Sequence, residues 1–209
     1  MANMESPAGL KQLHALYRTR KASIQKRLAE FAKVPESEYF YELCFCLLTP
    51  QSNAHKCWEA VTSLKMDDFQ NKDFHPSAYL HRRTRFHNHK GEYLLEWKKS
   101  HKRLLEELKA KKNSAEIREH LVKNVKGMWY KEASHFLRNV GHRNLAILDR
   151  HILKNLRHYG AIGKMPKAMT RKEYFAIEKK FLEFAEKVKI PMDELDLLFW
   201  SMQTGNIFK

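Results

Sequence analysis

Lys131 and Asp149, eighteen positions apart, are the two side chains whose setting points to chemistry. Lys131 lies in NVKGMWYKEASHFLRNVG, where Gly127 interrupts one helical pattern and a second begins at about Tyr130. One residue into that second helix, a lysine sits at the positive end of the helix dipole, where a cation is poorly placed. A positive environment together with burial favours the neutral amine, the form that attacks an electrophilic carbon. Asp149 follows Leu145, Ala146, Ile147 and Leu148 and precedes Arg150, His151, Ile152 and Leu153, which places it at the N-cap of the next helix. A carboxylate held by helix N–H groups is a fixed anion that can stabilise positive charge developing on a sugar. Each residue alone has a plainer reading, Lys131 as one solvated cation among 39 basic residues and Asp149 as a cap only.

The segment in front of Lys131 reads as helix, hairpin, helix with Gly127 at the tip. Such a hairpin presents successive backbone N–H groups and a helix N-terminus, both of which favour a phosphate, and Lys123 and Lys126 add charge beside it. Trp129 belongs to the same turn. The whole chain supports a polyanionic partner, because 39 Lys and Arg against 24 Asp and Glu leave a formal charge of +15. Nucleic acid is the commonest such partner, since each neutralised phosphate releases counterions. A Gly between helices and a basic composition are also compatible with a plain turn in a basic, soluble protein.

The elements that must position these residues are helical. Seven Gly and six Pro in 209 residues fall between long stretches with apolar residues three and four apart. The pattern predicts helices over about Leu10 to Phe31, Glu38 to Leu48 and Ala54 to Ser63, with a connecting loop from Lys65 to Pro76. Arg85 to Lys90 precede a periodic run to Leu108, and a helix begins near Ser114. After Asp149 to Tyr159 come a Gly160/Gly163/Pro166 linker and helices over Arg171 to Val188 and Met192 to Gln203. The expected architecture is all-α in two lobes: residues 38–139 with the helix-hairpin-helix, and 1–37 with 140–209, the active site lying in the cleft between them. Cys44, Cys46 and Cys57 form no CxxC pair, and Cys44 and Cys46 in the apolar run YELCFCLL read as buried thiols, so neither a disulfide framework, a metal nor a cofactor is expected. The N-terminal stretch MANMESPAGLK lacks a signal-peptide core, and no run approaches the about 20 apolar residues of a membrane span. An intracellular protein, in cytoplasm or nucleoid, is the expectation.

Taken together, the hairpin, Lys131 and Asp149 resemble the helix-hairpin-helix DNA glycosylases. KEASHFLRNVG followed by LAILDRHIL is similar to the microbial 8-oxoguanine DNA glycosylases of the second family, the short all-helical type, and so are LCFCLLTPQSNA, RFHNHKGEYL and the terminal Lys209. The first 35 residues and the Gly160 to Lys189 region add little to the likeness. The resemblance implies that Lys131 attacks C1′ of a flipped nucleotide, that Asp149 assists departure of the base, and that the resulting Schiff base permits β-elimination. It implies a double-stranded DNA partner containing 8-oxoguanine, a monomer, and a part for Lys209 in recognising the base. Recognition of a flat base needs apolar faces and few polar groups, for which Trp200 and Phe86 are the candidate stacking surfaces. Gln51, Ser52 and Asn53 fall where related glycosylases place residues that enter the DNA or line the pocket. His135, one turn after Lys131, is a candidate to orient it or to touch phosphate. Arg138, Asn139, Gly141 and Arg143 are candidate backbone contacts. An endonuclease III type enzyme is disfavoured because its four C-terminal cluster cysteines are missing, every cysteine here lying before residue 58. A helix-hairpin-helix module that binds DNA without catalysis is the remaining rival, and it would need neither Lys131 nor Asp149.

Overall fold

The computed structural model describes residues 7–209. The reading of the N-terminal stretch as free of a leader falls largely on residues 1–6, outside the described range. Among the described residues the chain forms ten α-helices and a 3-10 turn at Glu36–Glu38, and no strand. None of the helices is long and apolar enough to cross a membrane.

Local chemistry explains where the helices begin and end. Asn53 and Asn113 accept from the backbone N–H three residues on, opening α3 (Ala54–Met66) and α6 (Ser114–Asn124). Thr170 caps α9 (Arg171–Val188) in the same way, and that helix ends where Lys189 turns left-handed two residues before Pro191. The remaining helices are α1 (Pro7–Phe31), α2 (Tyr39–Leu48), α4 (Ser77–Leu80), α5 (His87–Lys109), α7 (Tyr130–Asn139), α8 (Arg150–His158) and α10 (Met192–Thr204). Several details differ from the expected pattern. Helix α3 runs three residues past Ser63, the short α4 appears after the loop, and His87 to Lys90 lie inside α5 instead of ahead of it.

The chain divides into two compact units, residues 34–140 and residues 1–33 with 141–209. In the first unit α2 is the centre: Phe40 through Leu48 are all buried, and α3, α5 and α7 pack around it. Phe40 lies parallel to Trp97 at 6.1 Å while the Trp97 indole N–H donates to the Phe40 carbonyl at 3.1 Å. Each large side chain buried in this way stabilises the fold by roughly 1.5–3 kcal/mol. In the second unit α1 is tied to α10 by the Tyr17 hydroxyl, which donates to Glu194 at 2.6 Å, and by Arg20, which donates to Ser201 at 2.6 Å. Tyr159, Phe181 and Phe199 stack at the meeting of α8, α9 and α10. The apolar run Leu145 to Leu148 is buried but not helical. It is fastened to α9, where Glu178 accepts from the Ala146 N–H at 2.8 Å and the Tyr174 hydroxyl donates to the Ala146 carbonyl.

Candidate active site

Lys131 is the second residue of α7, directly behind the hairpin that joins α6 to it. Its side chain is 19% exposed, with Nζ 3.6 Å from a Glu132 carboxylate oxygen. The ammonium donates to the Thr49 hydroxyl at 3.4 Å, and that hydroxyl donates in turn to the Cys46 carbonyl at 2.9 Å. The lysine is therefore held in a polar niche at the C-terminal end of α2, with part of its surface open to an incoming group. Glu132 is fixed as well, since its carboxylate accepts from the Trp129 N–H at 3.3 Å and so closes the first turn of α7.

The hairpin depends on Gly127. Its φ is +82°, and a Cβ built there would sit 2.2 Å from the Tyr93 ring of α5. Both the left-handed backbone and the missing side chain are thus required. Gly127→Ala is expected to lower stability by about 2 kcal/mol or more, the sum of backbone strain and overpacking. Thermal unfolding checks this, and an unchanged melting temperature would mean that Tyr93 has a second place to go. Lys126 and Gly127 are exposed at the tip, with Trp129 half-buried behind them.

Sequence reasoning missed a second lysine. Lys90, in the first turn of α5, is only 4% exposed, yet its Nζ lies within hydrogen-bond distance of four oxygens. These are the carbonyls of Leu48 at 2.7 Å and Pro50 at 2.8 Å and the hydroxyls of Thr84 at 2.8 Å and Ser52 at 3.0 Å. Burial pushes its ammonium down to about 8, with the positive charges of Lys131 and Arg85 acting in the same direction. It remains a cation at neutral pH. The sequence signal was available, a lysine in RFHNHKGEYL on the face that also carries Leu94 and Trp97, but a basic residue there reads as solvated.

Asp149 is the N-cap of α8. Its Oδ1 accepts from the N–H of His151 at 2.7 Å and of Ile152 at 2.8 Å, and its Oδ2 carries no hydrogen bond among the described residues. The cap therefore needs one oxygen, and the other is available for chemistry. Trp200, on α10, is half-buried and lies near-parallel to Phe208 at 6.3 Å, close to the terminal Lys209. Phe86 is 53% exposed. It sits in the left-handed region at φ 57°, just before α5, with the Arg85 guanidinium 5.4 Å from its ring centre. A large aromatic held exposed in a strained conformation is unusual for a packing residue.

Several expected contacts turn out to face the protein. His135 is buried with its ring edge-on to Phe45 at 5.4 Å. Arg138 and Asn139 are buried as well, with the Arg138 Nε donating to Asn139 and the Asn139 amide donating to Glu42 on α2. These three polar side chains serve the interior, because α7 is enclosed on nearly every face, and they are not the phosphate contacts that their residue types suggested. Arg143 donates to the Leu28 carbonyl at 2.8 Å and so closes the end of α1. Gly141, at φ +95°, lets the backbone pass Ala32, where a Cβ would come within 2.9 Å of the Ala32 Cα. Ser52 is engaged by Lys90, Thr84 and the Arg85 N–H, and Asn53 by its cap. Of the turn after α2 only Gln51 is exposed with its side chain uncommitted, at φ 55°.

Comparison with known proteins bears on the family and the fold. Residues 24–190 match the family model for 8-oxoguanine DNA glycosylase. An 8-oxoguanine DNA glycosylase/AP lyase of Fusobacterium nucleatum is 43% identical over 210 aligned residues, covering 95% of this chain and 96% of the relative. The crystal structure of the Methanocaldococcus jannaschii 8-oxoguanine DNA glycosylase is 34% identical with a TM-score of 0.85, over 96% of this chain and 95% of that one. A second structure of the M. jannaschii enzyme, in complex with 15mer DNA containing 8-oxoguanine, is 33% identical with a TM-score of 0.86, over 96% and 99%. With its helical architecture, its hairpin and its length all accounted for by these relatives, the chain belongs to the 8-oxoguanine DNA glycosylase family.

Proposed function

We propose that this protein excises 8-oxoguanine from double-stranded DNA and cleaves the abasic site left behind, with Lys131 as nucleophile and Asp149 as its carboxylate partner. The observation that carries the proposal is the placement of Lys131: a part-exposed amine in the first turn of α7, immediately behind a glycine hairpin, in a chain that aligns almost end to end with a named glycosylase/AP lyase. The hairpin N–H groups and Lys126 grip a phosphate, and the damaged nucleotide leaves the stack so that C1′ becomes reachable. The amine forms a bond to C1′ as the C1′–N9 bond breaks, its electron pair leaving with the base. Asp149 stabilises the positive charge that builds on the sugar. A proton then passes from the nitrogen to O4′ as the C1′–O4′ bond breaks, giving a protonated Schiff base between Lys131 and C1′ that acidifies the C2′ proton. Loss of that proton expels the 3′ phosphate by β-elimination. Trp200 and Phe86 supply apolar faces for the base, and Lys209 takes part in distinguishing 8-oxoguanine from guanine. The protein acts as a monomer inside the cell, without metal or cofactor.

Borohydride trapping on a duplex carrying one 8-oxoguanine tests the proposal. Reduction of the imine leaves a stable protein–DNA bond, expected with the lesion and absent with an unmodified duplex. Tight binding to both duplexes with no adduct would favour the non-catalytic helix-hairpin-helix module. The charge of +15 adds a further expectation. Affinity for undamaged duplex should fall tenfold or more between about 50 and 200 mM salt, measured by fluorescence anisotropy.

A further inference from the structure

Lys90 is a costly residue to bury. An ammonium removed from water loses its hydration, and a methionine would fill the space of its stem without that loss. What the charge does here is gather atoms. The Leu48 carbonyl lies at the negative end of α2, where it also receives the Thr84 hydroxyl at 2.9 Å and the Cys57 thiol at 3.2 Å. The Pro50 carbonyl lies beyond the next residue. Both carbonyls converge on the single Nζ of Lys90, so the residue between them is clamped from either side and cannot shift without breaking one of the two bonds. That residue is Thr49, whose hydroxyl receives the Lys131 ammonium.

We propose that Lys90 is a positioning residue for the reaction: by binding the carbonyls on both sides of Thr49, it fixes the hydroxyl that in turn fixes the Lys131 amine. This rests on Lys131 being the nucleophile. Ser52 and Thr84 complete the ring of acceptors, and their mutual hydrogen bond at 2.9 Å ties the turn after α2 to the entry of α5. Lys90 makes no hydrogen bond to Lys131, and acts through Thr49.

The test is a double-mutant cycle on the full chain, reading single-turnover excision of 8-oxoguanine and affinity for the lesion duplex separately. Lys90→Met is expected to slow excision by about tenfold to a hundredfold, the cost of a misplaced reacting group, with duplex affinity within about threefold of the parent. Thr49→Ala is expected to act in the same direction. Because both act through one contact, the double variant should be no slower than the slower single variant. Excision by Lys90→Met at the parental rate, a loss of affinity in step with the rate, or effects that multiply in the double variant would each overturn the proposal. Should Lys90→Met fail to fold, Thr84→Val removes one acceptor while keeping the shape, and should give a smaller loss of the same kind. A folded Thr84→Val excising at the parental rate would then overturn it. Failure of the parent protein to form a borohydride adduct would instead remove Lys131 as nucleophile, and this inference with it.

Discussion

Lys131→Gln should form no borohydride adduct and should excise 8-oxoguanine at least about 10³-fold more slowly than the parent, because the covalent route needs a nucleophilic amine and an amide offers none. Affinity for the lesion duplex should stay within about threefold, since the hairpin and the basic surface are untouched. Glutamine can still donate to the Thr49 hydroxyl that Lys131 contacts at 3.4 Å, so the fold around α7 is expected to survive, which circular dichroism would check. The informative contrary result is an adduct that persists. The amine of Lys90 would then become the one to test, by trapping with Lys90→Met. Loss of binding together with loss of activity would mean that Lys131 holds DNA and does not attack it.

Asp149→Asn should slow base release by about 10²-fold while leaving DNA affinity nearly intact, the pattern of a charge that acts in the transition state. The substitution separates two roles. Asparagine caps helices about as well as aspartate, so the hydrogen bonds from the His151 and Ile152 N–H groups to Oδ1 keep an acceptor and stability should change by less than about 0.5 kcal/mol. Asp149→Ala removes both the charge and the cap, and its additional loss of about 1 kcal/mol measures the cap alone. Unchanged turnover in Asp149→Asn would return the residue to a purely structural role.

Much of the architecture was legible because its boundaries are written in local chemistry. Thr170 and the Ile190–Pro191 exit delimit α9 at both ends, and Gly127 with a positive φ marks the hairpin. The start of α5 was less readable. Phe86 precedes it in a left-handed conformation without a side-chain cap, so no capping residue announces the helix, and His87 to Lys90 look like loop. Within the site, Lys131 stands out through its position behind the hairpin, and Asp149 reads as a cap because its hydrogen bonds come from residues two and three positions further along the chain. Lys90 did not stand out, since its acceptors at Leu48 and Pro50 lie about forty positions away and no spacing rule connects them. His135, Arg138 and Asn139 misled in the opposite sense. Polar residue types suggest a surface, whereas partners on α2 hold His135 and Asn139 in the core and Arg138 is bound there to Asn139.

The division of the chain also sets an order of assembly. The unit formed by residues 34–140 is continuous and is inserted in the sequence of the other one, so a ribosome delivers it complete before α10 is made. Tyr17 and Glu194, which join α1 to α10, are 177 positions apart. The contact between them therefore waits for nearly the entire chain to be made. Until α10 is made, α1 lacks the helix that it packs against in the finished protein. Closure of so long a loop costs more entropy than the shorter-range contacts of the inserted unit, so in refolding the inserted unit is expected to form first, checked by following the two units separately.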